Sequence, residues 1–182
     1  MLAFQAGDDQ AFERLVEEYQ GPAFSMLRRL LGPGAGLEDL AQEAFLRIWR
    51  SRVRYQPEGK FSTFLYRVTY NLALNWIRDA RRRPVSGLAP LAGGGTLEPA
   101  DSREPLHEAR MDQGVWGGRI ALALQSLPEN QRAALVFQHY QGLDLAEIGE
   151  ILEISPQAVK SLLHRAREGM RVILEPHWNS EK

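Results

Sequence analysis

The 182-residue sequence has no cysteine, which excludes a disulfide framework and a thiolate metal site and suits a reducing compartment. No apolar run approaches the roughly 20 residues that a bilayer span requires. The opening residues, Met1-Leu2-Ala3-Phe4-Gln5-Ala6-Gly7-Asp8, lack the basic start and apolar stretch of a secretory signal. A cytoplasmic location without membrane insertion is the expectation. The four histidines (His107, His139, His164, His177) share no ligand spacing, and no phosphate-binding loop or catalytic constellation is found. No metal, cofactor or catalytic residue is therefore expected, and the chain is not read as an enzyme. What remains is ordinary for a folded globular chain: 44% hydrophobic and 25% charged residues.

The net charge is only -1, yet the charges are unevenly placed. Residues 1–46 carry 3 basic against 8 acidic side chains, whereas residues 47–85 carry 10 against 2. Residues 86–114 return to 2 against 5, and residues 115–182 to 7 against 8. A run of like charge is ordinarily a solvated face. Ten bases interleaved with aromatic residues in so short a stretch point instead to a polyanion partner.

Residues 84–112 read PVSGLAPLAGGGTLEPADSREPLHEARMD, with three consecutive glycines and four prolines. No apolar periodicity survives there, so a flexible acidic linker is expected. Both flanks show helical spacing and no strand-like alternation. The expected fold class is all-α: two small helical domains at 1–84 and 115–176, a linker at 85–114 and a tail at 177–182.

In the N-terminal half, Phe12, Leu15, Val16 and Tyr19 mark a first helix, and Phe24 to Leu31 a second that stops at Gly32-Pro33-Gly34. Leu37, Leu40, Ala41, Ala44, Phe45, Ile48 and Trp49 give a third helix its core stripe. A turn at residues 56–59 precedes a fourth helix starting near Ser62 as N-cap. Its apolar stripe is Phe64, Leu65, Val68, Leu72 and Trp76; its polar stripe is Arg67, Asn71, Asn75 and Arg78, ending in Arg81-Arg82-Arg83. The C-terminal half reads as helices over 116–127, 129–140, 144–152 and 155–173, the last opened by Ser155-Pro156. The last two, joined by Glu153-Ile154, form a helix-turn-helix candidate or, equally, a plain antiparallel pair. Gln157, Lys160, Ser161, His164 and Arg165 lie on the exposed N-terminal part of the final helix, and most are residue types that reach bases and phosphates.

The segments DDQAFERLVEEY, LEDLAQEAFLRIW and FSTFLYRVTYNLALNWIRDARRR strongly resemble region 2 of bacterial sigma factors. LQSLPENQRAALVFQHYQGLDLAEIGEILEISPQAVKSLLHRAREGM resembles region 4. With only these two regions present, the chain resembles the extracytoplasmic-function group of the sigma-70 family. The resemblance implies binding to core RNA polymerase, recognition of -10 and -35 promoter elements, and initiation without nucleotide hydrolysis. It places Asp39, Gln42 and Glu43 on the polymerase. The loop from Pro57 to Thr63 corresponds to one that captures an extruded base, for which Lys60, Phe61, Ser62 and Thr63 supply stacking and hydrogen-bonding groups. Phe61 is equally suited to ordinary core. Arg67, Asn71, Asn75 and Arg78 would face -10 DNA, and Arg81, Arg82 and Arg83 its phosphates. Ser155, Gln157, Lys160, Ser161, His164 and Arg165 would meet the -35 major groove, Lys160 and Arg165 foremost. An anti-sigma factor is a further partner the resemblance implies, and the linker would thread the polymerase cleft.

Two positions depart from the family pattern. Leu162 stands where a basic residue is common, and Glu153 where the turn often carries glycine; a positive φ there would cost on the order of 1 kcal/mol. Two other classes fit parts of the chain. A dimeric helix-turn-helix repressor would leave the basic fourth helix unexplained, and a helical interaction protein would be indifferent to charge reversal at Arg78 and Lys160.

Overall fold

The computed structural model describes residues 1–34, 36–56, 59–82 and 114–179. Pro57, Glu58, Arg83 and nearly all of the linker lie outside the described residues.

The chain enters through a short helix, α1 (Leu2–Gln5), whose Phe4 is fully buried. Its ring stands 4.8 Å from Phe12 and 4.7 Å from Trp49, closing one end of the N-terminal bundle. Helix α2 (Asp9–Leu31) begins at Asp8, whose carboxylate accepts from the Ala11 N–H at 3.1 Å, the N-cap arrangement that satisfies an otherwise orphan donor. The sequence reading expected two helices here; they are one, running straight through Gly21-Pro22. Proline removes one donor to the residue 18 carbonyl. The apolar positions 12, 16, 19, 23, 26 and 30 nevertheless keep helical period across it. Ala23, Met26, Leu27 and Leu30 are all buried, and at about 1.5–3 kcal/mol for each large apolar side chain this outweighs the lost bond. Gly32, at φ 81°, ends the helix and returns its N–H to the Arg28 carbonyl.

Helix α3 (Leu37–Ser51) starts after Gly36 (φ 93°), buries Leu37, Ala41, Ala44, Phe45 and Ile48, and gives way to a 3-10 turn at Arg52–Arg54. Trp49, expected in the core stripe, is 37% exposed. Phe4 and Phe12 cover it only from the end of the bundle. Helix α4 (Phe61–Arg82) packs against both α2 and α3. Ser62 is not its N-cap: Phe61 is already helical and the Phe64 N–H donates to the Lys60 carbonyl at 3.3 Å. The Phe61 ring lies edge-on against Tyr19 and near Phe64 one turn on, which draws it into the helix. Leu65 and Leu72 are buried as expected, but Trp76 lies past the last buried residue of α4, Ala73, and is 41% exposed.

Among the described residues the C-terminal half has four helices: α5 (Val115–Ser126), α6 (Glu129–Tyr140), α7 (Leu145–Leu152) and α8 (Pro156–Asn179). Asp144 caps α7 from outside and completes a capping box. Its Oδ1 accepts from Ala146 and Glu147, while its own N–H donates to Glu147 Oε2. Ser155 caps α8 through the Ala158 N–H at 3.2 Å, and Val159, Leu163 and Ala166 anchor that helix in the core. The final helix runs beyond the expected end at Ile173 and through Pro176. The contact between the Trp116 and Trp178 rings, centroids 5.5 Å apart, holds its last turn.

The halves pack on each other. Helix α2 lies against α5 and α6, and α4 against α7, so buried residues of both halves join one apolar cluster.

Candidate nucleic-acid interface

The polar stripe of α4 follows from its spacing. Positions 67, 71, 75 and 78 recur at helical period, opposite Leu65, Thr69 and Leu72, which the bundle buries. Thr69 is absorbed without strain because its hydroxyl donates to the Leu65 carbonyl at 2.9 Å. Asn71, Asn75 and Arg78 are exposed and continue into exposed Arg81 and Arg82. Arg78 donates to Asn75 Oδ1 at 3.3 Å, which aligns the two side chains. The result is a solvated row of amides and guanidiniums, from Asn71 to Arg82, about three turns long at roughly 5.4 Å per turn.

The leading end of the stripe is differently placed. Lys60 pairs with Glu147 at 3.0 Å, Thr63 donates to the same carboxylate at 3.3 Å, and Arg67 pairs with Glu150 at 3.1 Å. Thr63 is buried, Phe61 is half-buried, and Ser62 is half-buried between them in sequence. Of the two readings of Phe61, its contacts with Tyr19 and Phe64 are those of a packing residue. At the other end Arg81 pairs with Glu129. Glu147 is held below the usual carboxylate range first by the Asp144 backbone N–H and then by Lys60, whose ammonium is pushed up by the same pair. Between the ends, Tyr70 stacks edge-on against Phe137 (5.5 Å, 76°) and its hydroxyl donates to Asn130 Oδ1 at 3.4 Å. Burial first, then the Glu129 carboxylate, raises the Tyr70 phenol to about 12.

These acids and Tyr70 were missed by sequence reasoning. Glu147 and Glu150 sit on consecutive turns of α7, but nothing in local periodicity says that this face meets residues more than eighty positions earlier.

On α3, Asp39 and Gln42 are exposed, while Glu43 accepts from Arg47 Nε at 2.9 Å. That hydrogen bond holds the Glu43 carboxyl below its ordinary range. Leu46, 49% exposed, lies on the same outer face and was not singled out from the sequence.

On α8, Ser155, Gln157, Lys160, Ser161, His164 and Arg165 are all exposed on the side away from the core. Ser161 and Arg165 tie back to the carbonyls of Gln157 and Ser161. Leu162 packs half-buried against the apolar cluster, which accounts for an apolar residue at that position. Helices α7 and α8 meet through Glu153 at φ 56° and ψ 42°, a left-handed turn. Gly149 permits it: a Cβ there would stand 2.7 Å from the Ile154 carbonyl oxygen. The pair is thus a helix-turn-helix with an open second helix.

Comparison with known proteins accords with this geometry. Residues 15–83 match the sigma-70 region 2 family and residues 118–170 the sigma-70 region 4 family. The chain is 34% identical to the ECF RNA polymerase sigma factor SigE of Mycolicibacterium smegmatis, over 96% of this chain and 67% of the relative. It is 33% identical to the ECF RNA polymerase sigma factor SigW of Bacillus subtilis, over 91% and 89%. The solved structure of CnrH in complex with the cytosolic domain of CnrY shares the fold, with a TM-score of 0.67 at 24% identity over 94% of this chain and 92% of that one. The two matched regions, together with relatives above 30% identity along nearly the whole chain, make it a member of the extracytoplasmic-function sigma factors of the sigma-70 family, which recognise promoters and direct transcription initiation by RNA polymerase.

Proposed function

We propose a division of labour among the helices. The outer face of α3, with Asp39, Gln42 and Glu43 around exposed Leu46, docks on core polymerase. Helix α4 reads and opens the -10 element through Arg67, Asn71, Asn75 and Arg78, with Arg81 and Arg82 on its phosphates and Lys60, Ser62 and Thr63 at the point of base capture. Helix α8 reads the -35 element through the six exposed residues from Ser155 to Arg165. Opening draws on binding energy without nucleotide hydrolysis, the chain acts in the cytoplasm, and an anti-sigma factor restrains it, as CnrY binds the related CnrH.

The observation that carries the reading is the exposed row Asn71, Asn75, Arg78, Arg81 and Arg82 on one side of a helix whose other side is locked in the core. Amides and guanidiniums are the groups that bind bases and phosphates, and the cationic end makes binding fall steeply with salt. The test is reconstituted transcription from a defined promoter with purified core polymerase. Charge reversal at Arg78 or Lys160 should each abolish most initiation while leaving the holoenzyme assembled. Full activity of both variants would overturn the assignment.

A further inference from the structure

On α8 one exposed row runs nearly the length of the helix. Gln157, Ser161, His164, Glu168, Arg171 and Glu175 recur at helical period, all exposed, on the side away from buried Val159, Leu163 and Ala166. The first three are assigned above to the -35 element; the last three are not. From Ser155 to Arg167 the helix carries no acid, and Glu168 is the first. Its Oε1 accepts from Arg171 Nη2 at 2.6 Å and from Nε at 3.1 Å, while Arg171 Nη1 donates to Glu175 Oε2 at 3.1 Å. The trio is one guanidinium held between two carboxylates, a net charge of -1. The hydrogen bond from Arg171, and then its charge, holds the Glu168 carboxyl below the usual range, so it is ionised at neutral pH. Arg165 turns the other way, its Nε donating to the Ser161 carbonyl at 3.3 Å.

The rise of the helix sets where that acid falls. Gln157 to Arg165 spans about 12 Å at about 1.5 Å per residue, which is about the width of a B-DNA major groove. A recognition helix meets base edges with its N-terminal residues. Glu168, about 4.5 Å beyond Arg165, therefore comes level with the phosphates that border the groove. A base at that position would add affinity for every sequence alike. A carboxylate does the reverse, since a phosphate there lies well inside the Debye length of about 10 Å at about 0.1 M salt. Exposed ion pairs of this kind add little to stability, so their consequence is for what Arg171 is free to bind.

We propose that Glu168 is a specificity-determining residue for the -35 element that acts by repulsion: it limits how far α8 advances along its own axis and, with Glu175, withholds Arg171 from the DNA backbone. The inference rests on the assignment of α8 to -35 DNA. In the correct register the carboxylate stands clear while Gln157, Lys160, Ser161 and Arg165 engage. A helix displaced by one turn, about 5.4 Å, to trade base edges for phosphates drives Glu168 into the backbone. A wrong sequence, lacking the base contacts, is thereby denied phosphate contacts in their place. Discrimination comes from penalising the competitor.

Holoenzyme reconstituted with the full chain tests this on two promoters that share a -10 element. One carries a -35 sequence enriched from a random pool by the parent holoenzyme; the other carries the same bases scrambled. The variant E168Q/E175Q should bind the enriched promoter within about twofold of the parent and the scrambled one about fivefold more tightly, with a salt dependence there steeper by about one unit as Arg171 gains a phosphate. In a second variant, R171Q, binding to the enriched promoter and its salt dependence should stay within about twofold of the parent, because the guanidinium makes no phosphate contact. A loss of about fivefold or more with a shallower salt slope would place Arg171 on the backbone and overturn the proposal. So would an equal gain on both promoters from E168Q/E175Q, which is uniform electrostatics without control of register, or no gain on either. In each of these cases a parent that enriches a -35 sequence leaves the assignment of α8 standing. Failure of the parent to enrich any -35 sequence would sink that assignment and the inference together. Should the double variant misfold, R171Q decides alone.

Discussion

Replacing Glu153 with glycine should stabilise the C-terminal half without touching the exposed face of α8. Among the described residues Glu153 is the only non-glycine with positive φ. A left-handed conformation costs an L-residue about 1–2 kcal/mol through the clash of Cβ with the following carbonyl. Glycine removes that clash but adds freedom to the unfolded chain, returning about 0.5–1 kcal/mol of the gain. The Glu153 side chain is exposed and the turn is held by backbone, its N–H and that of Ile154 both donating to the Gly149 carbonyl. Little else is lost. The net expectation is a gain of about 0.5–1 kcal/mol, which for a chain of this size is an upward shift in midpoint of about 1–4 °C. Urea and thermal melts followed by circular dichroism measure it, with -35 duplex binding as the control. A loss of stability would refute the reasoning, because it would mean the side chain holds the turn. Gly149→Ala is the counterpart: its new methyl would be driven onto the Ile154 carbonyl, costing about 1–3 kcal/mol.

Phe4→Ala should cost about 3–5 kcal/mol, since the fully buried ring bridges Phe12 and Trp49 at the end of the bundle; a change under 1 kcal/mol in a denaturant melt would show that α1 is not part of the core. Tyr70 should titrate apart from the other tyrosines in an ultraviolet pH scan, at about 12. Because the folded chain holds that proton more tightly than the unfolded one, the contribution is complete below pH 10 and is lost as pH rises from about 10 to 12; a Tyr70→Phe chain should lack this phase. Leu46→Asp should weaken binding to core polymerase at least about tenfold while leaving the melt unchanged, as the residue is half exposed.

Much of the fold was legible because it is written in local period. Leu37 to Ile48 and the α4 stripe gave helices with the observed inner faces, and Ser155-Pro156 marked the start of α8 to the residue. Errors came where two local rules competed. The stripe ending at Tyr19 and the one starting at Phe24 were read as two helices, but their core positions keep one register through Gly21-Pro22 and form a single helix. Ser62 looked like a cap, but the Phe61 ring had a better use inside the helix. The two tryptophans expected inside sit at bundle ends, and sequence spacing fixes a face, not an end. On the site, the exposed rows of α4 and α8 were visible as polar stripes. Glu129, Glu147 and Glu150 were not, for their partners lie 48 to 87 positions away and only the packing of the halves brings them there.

The central claim is that the exposed row on α4 reads and opens -10 DNA. Permanganate reactivity of thymines in a promoter bound by reconstituted holoenzyme tests it most directly. The parent chain should expose thymines across the -10 element. The chain with Asn71, Asn75 and Arg78 all replaced by alanine should bind core polymerase equally and leave those thymines protected. Equal thymine reactivity in the two holoenzymes would contradict the account.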